Sequence, residues 1–394
     1  MTQEQIARIA REWGTPAYVF DTGALEDRVA YLKSHLPERV RLCYAVKANN
    51  FIIGALDPLV PRFEICSEGE YRVCETLGIA GEKMVISGVY KTPDFIRELV
   101  ETRPDVGMYT VESQEQLRLL QDCAREAGRP LPVLLRLTSG NQFGLDKPVL
   151  VRAIAENDPA LLDIHGIQFF SGTQKGSVKK LKRELDKLDT LIDTLREELG
   201  FVCRELEYGP GLPAFYFEGD SFDEDAHMAG FSEAIDALRF GGELTFELGR
   251  GIAASCGTYL TRVVDKKSNK GQNYAIVDGG MNHLVYFGQS MAMRVPHMKL
   301  SPPRGLGEGE ELWNLCGALC TANDILVKQL PVPGLETGDV FAFENTGAYC
   351  MIEGISLFLS RDLPQVLLLD RDGSVHQVRC GAPTWPLNTP VLRV

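Results

Sequence analysis

The stretch FEICSEGEYRVCETLGIAGEKMVISG, residues 63–88, contains one complete strand–helix–strand pattern. Two short apolar runs, FEIC (63–66) and MVISG (84–88), lie on either side of residues 67–77, whose apolar side chains recur with helical spacing. Short apolar runs predict buried strands, and strands that alternate with helices favour a parallel sheet with crossover connections. This stretch therefore predicts an α/β fold.

The same alternation extends to both sides of this stretch, over the first 250 residues. Further segments with helical spacing lie at residues 93–100, 113–126 and 178–199. Eight strands over roughly 220 residues match the strand number and length of a (β/α)8 barrel, or TIM barrel, and a doubly wound open sheet is the alternative. The other six apolar runs are LCYAV (42–46), VGMYT (106–110), PVLLRL (132–137), IHGIQFF (164–170), LEYG (206–209) and LTFEL (244–248).

The pattern of the sequence changes after residue 250. Short apolar segments now follow one another without long helical stretches, as in GTYLTRVVDKK (257–267) and PQVLLLDRDGSVHQVRC (364–380), and Gly, Asn, Asp and Pro separate them. This pattern is typical of an antiparallel β domain. We therefore expect a barrel at residues 25–245 and a β-rich domain formed by residues 1–24 and 246–394.

The composition disfavours several classes of function. The 394 residues carry 41 Lys and Arg against 54 Asp and Glu, a formal charge of −13, and such a surface repels nucleic acids and anionic membranes. The ten cysteines lack CxxC spacing, which disfavours a disulfide framework and a zinc-finger site. No apolar run reaches the ~18 residues that cross a bilayer. We therefore predict a cytoplasmic protein without a metal site.

Residues at the carboxyl ends of the predicted strands are candidates for catalysis, because barrel enzymes place their active sites there. Lys47 follows the first run, where burial disfavours a charged amine and suits Schiff-base chemistry. The alternative is a lysine that reaches solvent from the strand end. Glu247 ends the eighth run, where a carboxylate aimed into the barrel mouth can hold a protonated pyridine nitrogen. Arg136 and Phe170 end the fifth and sixth runs.

Three glycine turns follow predicted strands, namely Gly172-Thr173, Gly209-Pro210-Gly211 and Gly249-Arg250-Gly251. Their backbone amides can cradle a phosphate, and Arg250 adds positive charge, although each turn by itself is more often only a tight turn. A lysine, a glutamate and several glycine turns on one rim of a barrel together suggest pyridoxal 5'-phosphate (PLP) as the cofactor.

With these features in place, the sequence resembles the fold-type III PLP-dependent decarboxylases of the ornithine/diaminopimelate decarboxylase group. The resemblance covers nearly the whole chain. It implies an alanine racemase-like PLP-binding (β/α)8 barrel, a C-terminal antiparallel β domain and a homodimeric amino-acid decarboxylase. The motifs that carry it are YAVKANN (44–50), FEICSEGE (63–70), FFSGTQ (169–174), EYGPGLP (207–213), ELGR (247–250), IVDGGMNH (276–283), LCGALCTANDIL (315–326) and NTGAY (345–349).

The resemblance implies a role for each matching residue. Lys47 would form the Schiff base with PLP, and Glu247 would keep the pyridine nitrogen protonated. Cys320 would cross the dimer interface and protonate the Cα carbanion left when CO2 departs. The remaining cofactor contacts that the resemblance implies are Arg136, Phe170, Thr173, Gly211, Gly249, Arg250 and Tyr349.

Departures from the family pattern bear on the ligands. Phe170 stands where the family commonly places a histidine against the PLP ring, which keeps stacking but loses hydrogen bonding. Diaminopimelate decarboxylases usually follow the cysteine with a glutamate that recognises the distal end of the substrate, and Thr321 replaces it. With Asp324, this motif is closer to relatives that act on modified or carrier-linked amino acids. An acyl or peptidyl carrier protein is therefore a candidate partner, and Arg294, Thr321 and Asp324 are candidate substrate-binding residues.

Two other functions remain as alternatives. A racemase on the same barrel would lose a proton at Cα instead of CO2, and the motif around Cys320 argues against it. A non-catalytic PLP carrier is usually a barrel alone, so the additional β domain argues against that function. The basic run KGSVKKLKR, residues 175–183, predicts a solvated helix face and is also the first place to expect an acidic carrier protein.

Overall fold

The structure is a computed structural model that describes residues 1–391. The chain forms two compact units. The first, here called the barrel unit, comprises Val29–Pro213 and Phe222–Ile252. The second, the sheet unit, comprises Met1–Arg28, Ala214–Ser221 and the chain from Ala253 onward. The sequence pattern does not predict that Ala214–Ser221, which lies between two barrel strands, belongs to the sheet unit.

The chain begins with α1 (Gln3–Glu12), β1 (Ala17–Asp21) and α2 (Thr22–His35). Eight parallel strands then form a closed barrel, in which each strand pairs with the next and the last pairs with the first. Every apolar run predicted as a barrel strand forms one of them, so the predicted (β/α)8 barrel is confirmed. The strands are β2 (Val40–Ala45), β3 (Arg62–Ile65), β4 (Met84–Ile86), β5 (Met108–Val111), β6 (Leu131–Leu137), β7 (Leu162–Phe170), β8 (Glu205–Gly209) and β9 (Glu243–Leu248).

A helix follows each barrel strand, and two of these helices begin at N-cap serines. The helices are α3 (Ile53–Leu56), α4 (Glu68–Thr76), α5 (Pro93–Thr102), α6 (Gln114–Ala127), α7 (Lys147–Ala155), α8 (Val178–Leu199), α9 (Glu224–Asp236) and α10 (Arg250–Ala253). The hydroxyl of Ser67 accepts the N–H of Glu70 at 3.2 Å, and Ser113 accepts the N–H of Gln116 at 3.1 Å. These N-caps satisfy amides that have no partner inside the helix, and so they define where α4 and α6 begin.

In the described residues, the sheet unit contains a nine-stranded sheet that is mostly antiparallel, as predicted. Its strand order is β14-β13-β11-β10-β1-β16-β17, while β15 also pairs with β10 and β12 pairs with β15. The pairs β1–β16 and β11–β13 are parallel. Besides β1, the strands are β10 (Gly257–Asn269), β11 (Gln272–Val277), β12 (Met298–Ser301), β13 (Leu312–Cys316), β14 (Ile325–Pro331), β15 (Val340–Glu344), β16 (Gln365–Leu369) and β17 (Val375–Arg379).

The N-terminal helix covers one face of this sheet. Ile6 and Ile9 of α1 are fully buried against Val19 of β1, Leu260 of β10 and Leu367 of β16. Burying each such side chain contributes about 1.5–3 kcal/mol, so α1 is part of the core of the sheet unit. Among residues 1–391, no helix is both long enough and apolar enough to span a membrane.

Candidate active site

Lys47 lies directly after β2, in the 3-10 turn Val46–Ala48. Its Nζ atom donates hydrogen bonds to Glu64 of β3 and, at 3.2 Å, to Oε1 of Glu247 of β9. Both strands are neighbours of β2 in the closed barrel, and they run parallel to it, so the carboxyl ends of all three meet on one rim. The side chain of Lys47 is 38% exposed, which leaves the amine accessible while two carboxylates hold it.

The two carboxylates that contact Lys47 have different electrostatic environments. Burial acts to raise the pKa of Glu64, but the Lys47 ammonium and a hydrogen bond from Cys66 outweigh it and hold this pKa well below its usual range. Burial and then the negative charge of Glu64 raise the pKa of Glu247, while Lys47 and Arg136 oppose this rise. Glu247 is therefore the carboxylate of this pair that takes up a proton more readily.

Glu64 and Cys66 contact Lys47, and neither is among the site residues predicted from the sequence. Cys66 donates its S–H to Oε1 of Glu64 at 2.9 Å, and its Sγ atom lies 3.6 Å from Nζ of Lys47. Both residues belong to the FEICSEGE motif. Their position at the end of a buried strand, next to the strand of Lys47, is the signal that would have identified them.

A further acidic side chain lies inside the barrel on β8. Glu207 is fully buried, and Nε2 of Gln168 on β7 donates to its Oε1 atom at 2.6 Å. Burial, and then the charges of Glu247 and Glu205, raise the pKa of Glu207 to about 8. Glu207 therefore carries a proton at neutral pH, and its neutral form adds no repulsion to Glu247.

The predicted phosphate-binding turns come together within the barrel unit. Nε of Arg250 donates to Oγ1 of Thr173 at 3.3 Å. Gly211 has a φ of +61°, and a Cβ atom there would lie 2.2 Å from the carbonyl oxygen of Gly172, so only glycine fits this approach. Gly249 lies between β9 and α10, directly before Arg250. The three turns follow β7, β8 and β9, which are consecutive in the barrel.

Arg136 and Phe170 both lie at strand ends, as predicted, and each has a close neighbour. Nη1 of Arg136 lies 3.2 Å from a carboxylate oxygen of Glu112, and its guanidinium lies 4.9 Å from the ring centre of Phe143. The ring of Phe170 packs on the backbone of Gly209, where a Cβ atom would lie 2.4 Å from the ring. Glu112 therefore orients Arg136, and a glycine is required beneath Phe170.

The basic run KGSVKKLKR, residues 175–183, contains one cation that does not lie on a solvated helix face. Lys175 is buried and forms an ion pair with Glu184 at 2.8 Å, so the prediction is wrong for this residue. Its position in the loop before α8 turns the side chain toward the barrel strands, whereas the later cations lie on the outer face of the helix. Those exposed cations are Lys179, Lys180, Lys182 and Arg183.

In the sheet unit, Cys320 is exposed in the turn between β13 and β14, and Thr321 follows it. Asp324 in the same turn is buried, and its two carboxylate oxygens accept the N–H groups of Met281 and Leu319, each at 2.8 Å. Burial raises the pKa of Asp324. The carboxylate therefore holds the turn that carries Cys320, and substrate binding by Asp324 stays a prediction.

The other predicted residues of the sheet unit are Arg294 and Tyr349. The guanidinium of Arg294 pairs with Asp220 and lies 4.2 Å from the ring centre of Phe217, and its side chain is half-exposed. Tyr349 is partly buried and has a φ of +66°. The roles expected for Arg294 with substrate and for Tyr349 with phosphate stay predictions.

The barrel unit provides the groups that PLP requires. Lys47 supplies an accessible amine, Glu247 supplies a carboxylate beside it, and the turns around Thr173 and Gly211 form a crowded glycine cradle with the cation of Arg250. Within the described part of the chain, no cluster of His, Cys, Asp and Glu is arranged to hold a metal ion. The fold and this site together define a PLP enzyme built on a (β/α)8 barrel.

Comparison with known proteins identifies the family. Residues 17–347 match the family described as pyridoxal-dependent decarboxylase, C-terminal sheet domain. The chain is 32% identical to the diaminopimelate decarboxylase of Pseudomonas aeruginosa, over 95% of this chain and 92% of the relative. It is 27% identical to the L-glutamyl-BtrI acyl-carrier protein decarboxylase of Niallia circulans, over 96% and 94%. The chain therefore belongs to the pyridoxal-dependent decarboxylases and is a PLP-dependent carboxy-lyase that acts on an amino acid.

The solved structures agree with the fold. The crystal structure of diaminopimelate decarboxylase from Helicobacter pylori, complexed with L-lysine, has a TM-score of 0.84 to this chain at 23% identity, covering 97% of this chain and 98% of that one. This likeness supports the combination of a closed barrel with a mostly antiparallel sheet.

Proposed function

We propose that Lys47, Glu247 and Cys320 carry out the decarboxylation, in a homodimer that acts on diaminopimelate or a related amino acid. The observation that carries this proposal is the 3.2 Å contact between Nζ of Lys47 and Oε1 of Glu247 at the rim of the barrel. An accessible amine beside a buried carboxylate is the pair of groups that a PLP site needs, one to hold the cofactor and one to set the charge of its ring.

Each residue has a defined task in this proposal. Bound PLP supplies an electron sink for the electron pair that remains at Cα when the carboxylate leaves as CO2. Lys47 holds the cofactor through its Nζ atom, and Glu247 keeps a proton at the pyridine nitrogen. Cys320 of the partner subunit donates a proton from Sγ to Cα, and its exposed position on the sheet unit is compatible with this role.

Exposed apolar side chains of the sheet unit support the homodimer. These side chains lie in two segments, residues 352–359 and 385–391. The segments are in contact, since Nδ2 of Asn388 donates to the carbonyl oxygen of Leu357 at 2.8 Å. A group of exposed apolar side chains on adjacent segments is a common mark of an interaction surface on soluble proteins. Its members are Ile352, Ile355, Leu357, Phe358, Leu359, Trp385, Leu387 and Val391.

A second candidate substrate is an amino acid attached to a carrier protein, as in the Niallia circulans relative. Lys179, Lys180, Lys182 and Arg183 lie exposed in the first two turns of α8, and within the described residues none of them forms an ion pair. In a chain with a formal charge of −13, this cluster is a local basic surface that complements an acidic carrier.

The test is CO2 release from diaminopimelate, lysine, ornithine, arginine, glutamate and carrier-linked glutamate. Release from a free diamino acid, unchanged in the variant Lys179→Glu/Lys182→Glu, supports the first substrate class. Release only from the carrier-linked amino acid, with a KM that rises at least tenfold in that variant, supports the second. Exchange of solvent deuterium at Cα without CO2 release from any substrate would contradict both proposals and indicate a racemase.

A further inference from the structure

Lys175 joins the two glycine turns that follow β7 and β8. Its backbone N–H donates to the carbonyl oxygen of Gly211 at 2.9 Å, and its Nζ atom donates to the carbonyl oxygen of Gly209 at 3.2 Å. The side chain is 1% exposed. One residue from the first turn therefore contacts the backbone of the second turn at two points.

The same amine is bound to two side chains, one from its own turn and one from α8. Nζ donates to Oγ of Ser171 at 2.9 Å and to Oε2 of Glu184 at 2.8 Å, and Glu184 lies on α8. Glu184 also accepts the hydroxyl of Tyr208 on β8 at 2.6 Å. All three protons of the ammonium group thus have acceptors in the protein, so Lys175 positions other groups and does not bind a ligand itself.

The energetics of this ion pair favour a positioning role over a purely stabilising one. Burial lowers the pKa of Lys175, and the hydrogen bond that its ammonium donates to Glu184 opposes this change. Removing two charges from water offsets most of the attraction between them, so a buried pair is weak evidence for stability. Its best-supported use is to select one arrangement of the elements that it connects.

The two turns approach each other closely. A Cβ atom at Gly211 would lie 2.2 Å from the carbonyl oxygen of Gly172 and 3.0 Å from Cε of Lys175. Thr173, which accepts from Arg250, is the next residue after Gly172 in the same turn. A shift of the Lys175 side chain would therefore move the backbone on both sides of the phosphate cradle.

We infer that the buried Lys175–Glu184 pair positions the two turns that would bind the phosphate, at Thr173 and Gly211. We infer further that the pair determines how strongly the enzyme prefers PLP over unphosphorylated pyridoxal. The pair holds the turns at Thr173 and Gly211 in contact, so that their backbone N–H groups stay preorganised for a bound phosphate. This inference rests on the cofactor site given in the proposed function.

The experiment measures the affinities of the full-length enzyme, freed of cofactor by dialysis, for PLP and for pyridoxal. In Lys175→Met we expect the dissociation constant for PLP to rise at least tenfold and that for pyridoxal to change less than twofold. Lys187→Met, at an exposed lysine of α8, is the matched control and should leave both constants unchanged. If Lys175→Met does not fold, Ser171→Ala is measured instead. It removes one acceptor of the amine, and we expect a smaller shift in the same direction.

A general loss of structure would weaken the binding of both ligands equally, and that result would overturn the inference. An unchanged ratio of the two constants in folded Lys175→Met or Ser171→Ala would overturn it as well. A wrong proposed function gives a different result, because the unaltered enzyme itself would show no preference for PLP over pyridoxal.

Discussion

Nζ of Lys47 lies 3.2 Å from Oε1 of Glu247, across the pair of strands, β2 and β9, that closes the barrel. The two residues are 200 positions apart in the chain. Their contact depends on closure, because an open sheet would leave β2 and β9 without this pairing. The barrel thus brings the first and last of its strand ends together to form the centre of the site.

Replacement of Lys47 by alanine should remove the residue that holds the cofactor. We expect CO2 release to fall by about 10³-fold or more, together with the visible absorbance of bound PLP. Lys328→Ala, an exposed lysine of the sheet unit, is the control. Full activity in Lys47→Ala would contradict the assignment of this residue.

Replacement of Glu247 by glutamine should keep the size of the side chain and remove its negative charge. Without that charge the pyridine nitrogen loses its proton more easily, and we expect kcat to fall by roughly 10²–10³-fold. Glu247→Asp keeps a carboxylate and should retain more activity than the glutamine variant. Steady-state kinetics check this order, and equal activities for the two variants would contradict it.

Glu207→Gln tests the proton held inside the barrel. Its raised pKa, about 8, means that the carboxyl stays protonated in the folded state while it ionises near its ordinary value of about 4.3 in the unfolded chain. The stabilisation that the Glu207 carboxyl provides is therefore fully present below its pKa in the unfolded chain. This stabilisation is lost as the pH rises from there toward 8, by up to about 1.4 kcal/mol per pH unit. The glutamine variant lacks this dependence.

We therefore expect the free energy of unfolding of Glu207→Gln to increase relative to the unaltered enzyme between pH 5 and about pH 8. Urea denaturation at several pH values measures this difference. Glu198→Gln, an exposed residue of α8, should show none. The groups around Glu207 are shared by both proteins, namely Gln168, Glu205, Glu247, Arg62 and Cys43. A difference that stays constant with pH would contradict a protonated Glu207.

Mixing two inactive variants tests the shared active site. Lys47→Ala and Cys320→Ala, unfolded and refolded together in equal amounts, should form heterodimers in half of the molecules, each with one intact site. We expect about a quarter of the activity of the unaltered enzyme. Activity no greater than the mean of the separate variants would show that Cys320 does not act in the partner's site.

The sequence pattern predicts the strands, the helices and the residues at strand ends, because these features depend on residues close together in the chain. Alternating apolar runs and helical segments predict eight parallel strands, and the carboxyl ends of parallel strands in a barrel share one rim. Lys47 and Glu247 could therefore be assigned to one site from their positions at two strand ends. The glycine turns could be assigned in the same way, because each follows a strand.

Pairing and burial of side chains depend on neighbours from other elements, and these were decided by the tertiary structure. Lys175 looks like the other cations of its run, but the loop before α8 directs it inward to Glu184. Glu64 lies near the end of a predicted strand, but only the pairing of that strand with β2 places it on the amine of Lys47. The sequence by itself thus determined the barrel and its rim residues, whereas the structure decided which of the buried charges meet, because burial and contact arise only when distant elements pack together.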